Sequence, residues 1–139
     1  SLPIASEDFV FIISNDAPHY PDIVRPDSLD PHKELFTQWD SAYSIWHNYW
    51  FGSGKMPLLY NECTLSLPAL IRHPGAWAIV PRSIALSMRD RVQICELSDP
   101  PSPRTFYFVT QRRQKQPYCD QIKTLLINYL GNKEGIQLL

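Results

Sequence analysis

The side chains with the best placement for binding a ligand are two hydroxyls at predicted helix starts. Ser41 comes after Trp39 and Asp40, and Thr64 comes after Cys63, each just beyond a predicted strand. A helix start offers unpaired backbone N–H groups and the positive end of the helix dipole, which favour an anion such as a carboxylate. Ser and Thr are also ordinary capping residues, and the Asp40 carboxylate would repel a nearby anion. The pattern therefore leaves a binding role and a structural role open.

Motifs for catalysis are missing. Residues 52–55 resemble the end of a phosphate-binding loop, but Tyr49 stands where GxxxxGK[ST] needs its first glycine, and Met56 replaces Ser/Thr. The acid pair Glu7 and Asp8 falls in a predicted loop, which favours a solvated role. The histidines lack metal-ligand spacing and are expected at the surface or partly packed; they are His19, His32, His47 and His73. We therefore expect no enzyme activity, no metal and no cofactor.

Composition describes a globular chain that is nearly neutral. Of 139 residues, 44% are hydrophobic and 19% charged, and the net charge of −1 gives no strong electrostatic attraction to nucleic acid. The charge is uneven, because residues 1–70 carry −6 and residues 71–139 carry +5, which suggests two lobes. The densest basic run, residues 111–115, is expected to be a solvated loop. Three cysteines without zinc spacing indicate reduced thiols in the cytoplasm.

The elements that would position Ser41 and Thr64 alternate between strand and helix. Strands are predicted over residues 9–13, 35–39, 57–60, 76–80, 92–97 and 105–110. Helices are predicted to start at residues 40–41, 65 and 117. Short strands that alternate with helices predict an α/β fold with a largely parallel sheet. Thr64 is expected to cap the second helix.

Two of these helices have a predicted apolar face at helical spacing. In the first helix the face consists of Ala42, Ile45, Trp46, Tyr49 and Trp50. In the last helix it consists of Tyr118, Ile122, Leu125, Leu126 and Tyr129. An apolar face of this kind normally packs against other parts of a fold.

The order of several loose motifs resembles LysR-type transcriptional regulators. Residues 75–85 resemble the family's G-x-G-I-A-x-L-P segment, and residues 9–19 resemble its strand followed by Asp-His-Pro. Residues 28–29 match a Ser-Leu pair, and residues 104–130 resemble the closing strand, basic turn and helix. The resemblance covers about residues 5–130. It departs from the family at Trp77, where a smaller aliphatic is usual, and near it at Pro74 and Ala76, which replace glycines.

This resemblance implies a periplasmic-binding-protein-like (type II) effector domain with two lobes and a cleft between them. Residues 1–13 would form the crossover strand from the first lobe, and residues 14–76 the second lobe. Residues 77–81 would return to the first lobe, whose C-terminal part would be residues 82–139. The family's winged helix-turn-helix and the opening elements of the first lobe would be missing, so the chain would be truncated at its N-terminal side.

The resemblance also implies a function as a cytoplasmic, oligomeric effector sensor. By position, Ser41 and Thr64 would donate hydrogen bonds to a small effector, expected to be a carboxylate, and Trp39, Tyr43 and Leu65 would form pocket walls. DNA would be bound only through the missing winged-helix domain, and no membrane partner is expected. The alternative is a stand-alone solute-binding protein of the same fold. An α/β enzyme is a third possibility, for which the sequence offers no reactive centre.

We predict that this chain self-associates. Strand 105–110 and helix 117–130 would lack their native neighbours, and exposed apolar faces and strand edges favour pairing with a second copy. Light scattering over a concentration series should therefore show species larger than a monomer. A strictly monomeric chain at every concentration would contradict the prediction.

Overall fold

One sheet joins the two ends of the chain. The computed structural model describes residues 1–52, 54–111 and 117–139. Strand β1 (Leu2–Glu7) lies at the centre of three antiparallel strands, between β8 (Arg104–Phe108) and β9 (Gln137–Leu138). Helix α4 (Cys119–Gly131) contacts β1 and β9. This small layer therefore depends on pairing between residues about a hundred positions apart.

The larger sheet is built around β2 (Phe9–Ser14). Its order is β3 (Ile23–Val24), β7 (Val92–Leu97), β2 and β6 (Trp77–Pro81). Strand β2 is antiparallel to both of its neighbours, whereas β3 and β7 are parallel. Five of the six β2 residues are buried, so the sheet must be covered on both faces.

The segment between β3 and β6 covers this sheet. Strands β4 (Leu35–Phe36) and β5 (Leu59–Tyr60) form a parallel pair, followed respectively by α1 (Ser41–Phe51) and α2 (Leu67–Leu70). A parallel bridge from Glu34 to Trp77 attaches the pair to the edge of β6. The chain then forms α3 (Arg82–Ser87) directly after β6.

Alternating residues of β2 enter two hydrophobic clusters. Phe9, Phe11 and Ile13 pack into an aromatic cluster that includes Tyr43 and Trp77. On the other face, Val10 and Ile12 pack with α2 and α3 through side chains such as Leu67, Ile71 and Ala85. The Trp77 indole is 2% exposed and fills the core, with its Nε1 donating to the Asp30 carbonyl at 2.8 Å.

The prediction of a mostly parallel sheet was wrong, although the mixed α/β class was correct. The apolar run at residues 9–13 is buried on both faces, as predicted, but its neighbours β6 and β7 run antiparallel to it. Burial on both faces requires only that helices cover the sheet twice, and it does not fix strand direction. Here the covers are α1 on one face and α2 with α3 on the other.

Several predicted elements have different bounds, and some were missed. Strand β1 and helix α3 were not predicted, and the helix expected from residue 65 is a 3-10 helix at Thr64–Ser66 followed by the single turn of α2. Thr64 is not the capping residue, because Cys63 occupies that position and no side chain caps it. Residues 112–115 of the predicted basic loop lie outside the described residues.

Helix α1 exists as predicted, but it is rotated about its axis. Ile45 and Tyr49 of the predicted inward face are 73% and 78% exposed. The inward side instead carries Tyr43, His47 and Phe51, spaced four residues apart, and the His47 imidazole bonds both oxygens of the buried Glu34 carboxylate at 2.7 and 2.9 Å. A buried carboxylate needs a hydrogen-bond partner, and this requirement accounts for the inward orientation of the His47 side chain.

The predicted apolar face of α4 is largely exposed in the structure. Its least exposed member, Leu126, is 39% exposed and its most exposed, Leu125, 68%. The remaining members are Tyr118, Ile122 and Tyr129, each 49% exposed or more. This exposure agrees with the prediction that helix 117–130 lacks neighbours within this chain and presents its apolar face. No helix among the residues that the structure describes has the length and apolar character needed to cross a membrane.

The two-sided burial of β2 predicts where mutations cost most stability. Ile12→Ala removes a side chain that is fully buried, and deletions of this kind cost about 2–5 kcal/mol of unfolding free energy. The matched control is Ile45→Ala, at a position 73% exposed on α1, which should change stability by about 0.5 kcal/mol or less. Urea unfolding followed by circular dichroism measures both. Equal losses from the two substitutions would contradict the core assignment.

Candidate functional site

The turns that carry Ser41 and Thr64 lie at the same edge of one small sheet. Strands β4 and β5 are parallel, so the turns that follow them leave from the same end. The turns are also bonded to each other. The Asn61 N–H donates to the Phe36 carbonyl at 2.7 Å, and the Thr37 hydroxyl donates to the Asn61 carbonyl at 2.9 Å. The shared edge predicted for the two turns is therefore present.

The start of α1 already holds a carboxylate. Asp40 caps the helix, and its Oδ1 accepts the Tyr43 N–H at 2.7 Å. An anion placed there would face the negative charge of Asp40, which offsets the attraction of the helix dipole. Ser41 is the first residue of the helix and is exposed, so its hydroxyl is accessible to a polar ligand group.

The turn before α2 is organised by Asn61. This side chain is 7% exposed, and its Oδ1 accepts from the Cys63 N–H at 3.3 Å and from the Ser66 hydroxyl at 2.9 Å. Thr64 and Leu65 face a different direction from the α1 start. They line a cavity of about 400 Å³ together with α3 residues such as Ile84 and Met88. Trp39, Ser41 and Tyr43 do not line that cavity.

Trp39 lies where the two larger sheets meet. Its Nε1 donates to the Ile79 carbonyl at 3.0 Å, which fixes the indole against the middle of β6. The Arg104 guanidinium of β8 lies 5.7 Å from the indole centroid, close enough for a cation–π contact. The Phe9 ring packs against the Trp39 indole on one side and against Tyr43 on the other. Tyr43 is 1% exposed, so it belongs to the core rather than to an open wall.

Sequence reasoning missed Arg104. It is the only charged residue of β8, in the strand segment Arg-Thr-Phe-Tyr-Phe. A single charge in an otherwise uncharged strand is the sequence feature that could have marked it as a candidate. Its partner is not visible in sequence, because Glu7 stands 97 positions away. Arg104 Nε donates to Glu7 Oε1 at 2.8 Å, and an Nη also contacts that oxygen.

The acid pair Glu7 and Asp8 is a structural junction, so the prediction of a solvated pair was wrong. Glu7 is 2% exposed, and besides Arg104 it accepts the Ser83 N–H at 3.1 Å. Asp8 forms a two-pronged pair with Arg82, both contacts at 2.7 Å. Arg82 reaches on to Glu96 of β7 at 2.6 Å. The two acids therefore tie the β1–β2 connection to β8, α3 and β7.

The charges at this junction influence one another. The hydrogen bond from Arg82 is the main cause that holds the pKa of Asp8 below its ordinary value, against the opposing effect of partial burial. At the second buried acid of the protein, Glu34, burial raises the pKa despite the hydrogen bond from His47. No group of three or more potential metal ligands exists among the residues that the structure describes.

Comparison with known proteins shows a likeness to solved structures. No protein-family model and no curated protein sequence matches the chain. The solved effector-binding domain of QuiR, a LysR-type regulator, in complex with shikimate is similar over 92% of this chain, with a TM-score of 0.69 and 17% sequence identity. The chain has the fold of a LysR-type effector-binding domain. It spans 63% of the length of that neighbour.

The Asp8–Arg82 pair predicts a measurable pH dependence. An acid whose pKa is lower in the folded protein stabilises the fold above its ordinary value of 3.8, and this stabilisation is lost as pH falls through the lowered folded pKa. Because Asp8 is 43% exposed, solvent screening limits its contribution to about 1 kcal/mol or less. Asp8→Asn should lower the unfolding free energy at pH 7 by that amount, with a smaller difference at pH 3. Asp27→Asn, which breaks the exposed pair with Arg25, is the matched control, and an equal pH-dependent loss in it would contradict the role of Asp8.

Proposed function

We propose that the chain is the effector-sensing part of a LysR-type DNA-binding transcriptional regulator. The observation that carries the proposal is the likeness of 92% of the chain to an effector-binding domain. The proposed action is binding rather than catalysis, and DNA would be contacted through a separate winged-helix domain. A small metabolite would bind between two lobes in the cytoplasm.

The sheet pairing supports a division into lobes close to the predicted one. β1, β8 and α4 would belong to the first lobe, and β2 to β6 to the second. The pairing of β7 with β2 favours assigning residues 82–97 to the second lobe rather than to the first. On this division the junction formed by Glu7 and Asp8 lies at the crossing between lobes.

The geometry around Trp39 supports a small carboxylate as the effector. Arg104 would come from the first lobe, and Trp39 and Ser41 from the second. Glu7 uses only part of the five N–H donors that a guanidinium offers. Arg82 shows in the same protein that one guanidinium can bond two carboxylates, Asp8 and Glu96. Arg104 would contact the carboxylate, Ser41 would bond a polar group of the effector, and Trp39 would pack against its body. Thr64 and Leu65 line the separate cavity against α3, so they are not part of this proposed contact set.

The effector would shift the equilibrium between two arrangements of the lobes only if it bound one arrangement more tightly than the other. An effector that bonds Arg104 on one side and Ser41 on the other favours the arrangement in which these groups lie closest. The shift would reach DNA through contacts between copies of the complete regulator.

A set of small carboxylates that includes shikimate tests this proposal. A ligand at about 100 times its Kd raises the unfolding free energy by about 2.7 kcal/mol, which thermal unfolding detects. The chain has four tryptophans, so the difference in fluorescence between the unmodified chain and Trp39→Phe reports on the site itself. Ser41→Ala should weaken the binding several-fold without changing the unliganded melting temperature. Trp39→Phe should also weaken it, and should lower that temperature because the hydrogen bond to the Ile79 carbonyl is lost. Recovery of the carboxylate unchanged after incubation supports sensing over catalysis.

Arg104 needs a paired design, because its removal alone leaves a buried carboxylate without its partner. The double variant Glu7→Gln with Arg104→Gln keeps hydrogen bonding without charge and should abolish carboxylate binding. Arg25→Gln, which changes an exposed arginine paired with Asp27, should bind as the unmodified chain does. If no carboxylate stabilises the chain, or if the double variant binds normally, the proposed site is wrong.

A further inference from the structure

A cavity of about 560 Å³ opens at the end of β2 that is distant from Glu7 and Asp8. Ile13 and Tyr20 line its apolar part, together with Ala17, Pro18 and Pro74. The volume is in the range of small-molecule sites, which are mostly apolar with a few convergent polar groups. None of Trp39, Ser41, Thr64 or Arg104 lines it, so it is separate from the site proposed above.

Tertiary hydrogen bonds hold the first wall of this cavity in place. The wall is the turn at residues 14–20, and the Gln93 amide of β7 donates to three of its carbonyls, those of Ser14, Ala17 and Pro18, at 3.2 Å each. The other end of the same amide accepts the Tyr20 N–H at 2.9 Å. The Tyr20 ring packs on Phe11 of the core, with 5.3 Å between the ring centroids. One glutamine side chain therefore fixes the shape of the turn.

The second wall is a tight turn between α2 and β6. The His73 N–H bonds the Leu70 carbonyl at 3.1 Å, and the Ala76 N–H returns to the His73 carbonyl at 3.0 Å. Gly75 has a φ of +78°, which side-chain-bearing residues adopt rarely, and it lines the cavity. Because both walls are fixed without a ligand, binding would not carry the entropic cost of ordering them.

Two opposite charges stand at this cavity. Arg72 and Asp16 both line it, and both also line an adjoining cavity of about 400 Å³ that adds Arg91 and Asp90. Within the part of the chain that the structure describes, neither Arg72 nor Asp16 takes part in an ion pair. A cation and an anion that share a cavity without neutralising each other match a ligand that carries both charges.

We propose that this cavity binds a small zwitterion with an apolar side chain, that is, an apolar α-amino acid. Its carboxylate would pair with Arg72, its ammonium group with Asp16, and its side chain would pack between Tyr20, Ala17 and Pro74. A ligand with only a carboxylate would be repelled by Asp16 and would have no ammonium group to pair with it. A ligand with only an amine would be repelled by Arg72 and would have no carboxylate to pair with it. The cavity therefore selects for both charges together.

Isothermal titration calorimetry with L-phenylalanine tests the proposal. The comparison probes are 3-phenylpropanoate, which lacks the ammonium group, and 2-phenylethylamine, which lacks the carboxylate. Each should bind at least about tenfold more weakly than L-phenylalanine, because each forfeits a charge-assisted bond. Arg72→Gln and Asp16→Asn should each weaken L-phenylalanine by about tenfold, and Asp16→Asn should not weaken 3-phenylpropanoate.

Matched control variants establish whether binding depends on this cavity. Arg25→Gln and Asp27→Asn change the same residue types away from the cavity and should leave L-phenylalanine binding unchanged. Ala17→Leu narrows the cavity without altering a charge and should weaken the binding of all three probes. This variant tests the cavity even if a charge variant fails to fold. Ser41→Ala should not affect this binding, so its outcome is independent of the proposed effector site.

The proposal is overturned by any of three results. The first is no heat of binding from L-phenylalanine at about 10 mM, a concentration above the Kd of even weak specific sites. The second is equal affinity for the three probes. The third is unchanged binding in Arg72→Gln, Asp16→Asn and Ala17→Leu.

Discussion

The burial of β2 on both faces is the constraint on which the rest of the structure depends. Phe9, Phe11 and Ile13 require one apolar cover, and Val10 and Ile12 require another. The chain supplies an aromatic layer from α1 on the first side and the short helices α2 and α3 on the second. The turn at residues 14–20 follows β2 directly. The helices α1 and α2, which follow the turns of Ser41 and Thr64, are held by packing on the two faces of β2.

The Glu7–Asp8 junction adds a polar constraint at the start of that strand. A buried carboxylate is costly unless it is paired, and Glu7 is satisfied only when Arg104 and the Ser83 N–H are both in place. Asp8 and Arg82 form a second pair of carboxylate and guanidinium, closer to the surface. These bonds link the two sheets in one arrangement, and they place a guanidinium against Trp39.

Two candidate sites then lie near opposite ends of β2. One gathers Trp39, Ser41 and Arg104 near its first residue, and the other gathers Arg72, Asp16 and Tyr20 near its last. Coupling between them would travel through a strand that is fully packed, and packed cores shift between discrete arrangements rather than deforming continuously.

Features that depend only on neighbouring residues could be predicted from the sequence. The strand at residues 92–97 and the helix after Asp40 were predicted correctly, because β-prone runs, capping residues and Gly52 act within a few positions. The fold was implied by a resemblance of several loose motifs to LysR-type regulators, and it agrees with the likeness to the QuiR effector-binding domain. The tertiary structure alone decided strand direction, the inward face of α1 and the partners of Glu7, Glu34 and Arg104. Those features depend on contacts between distant residues: His47 faces the core because Glu34 lies there, and Arg104 becomes a candidate ligand contact because Glu7 and Trp39 hold it in place.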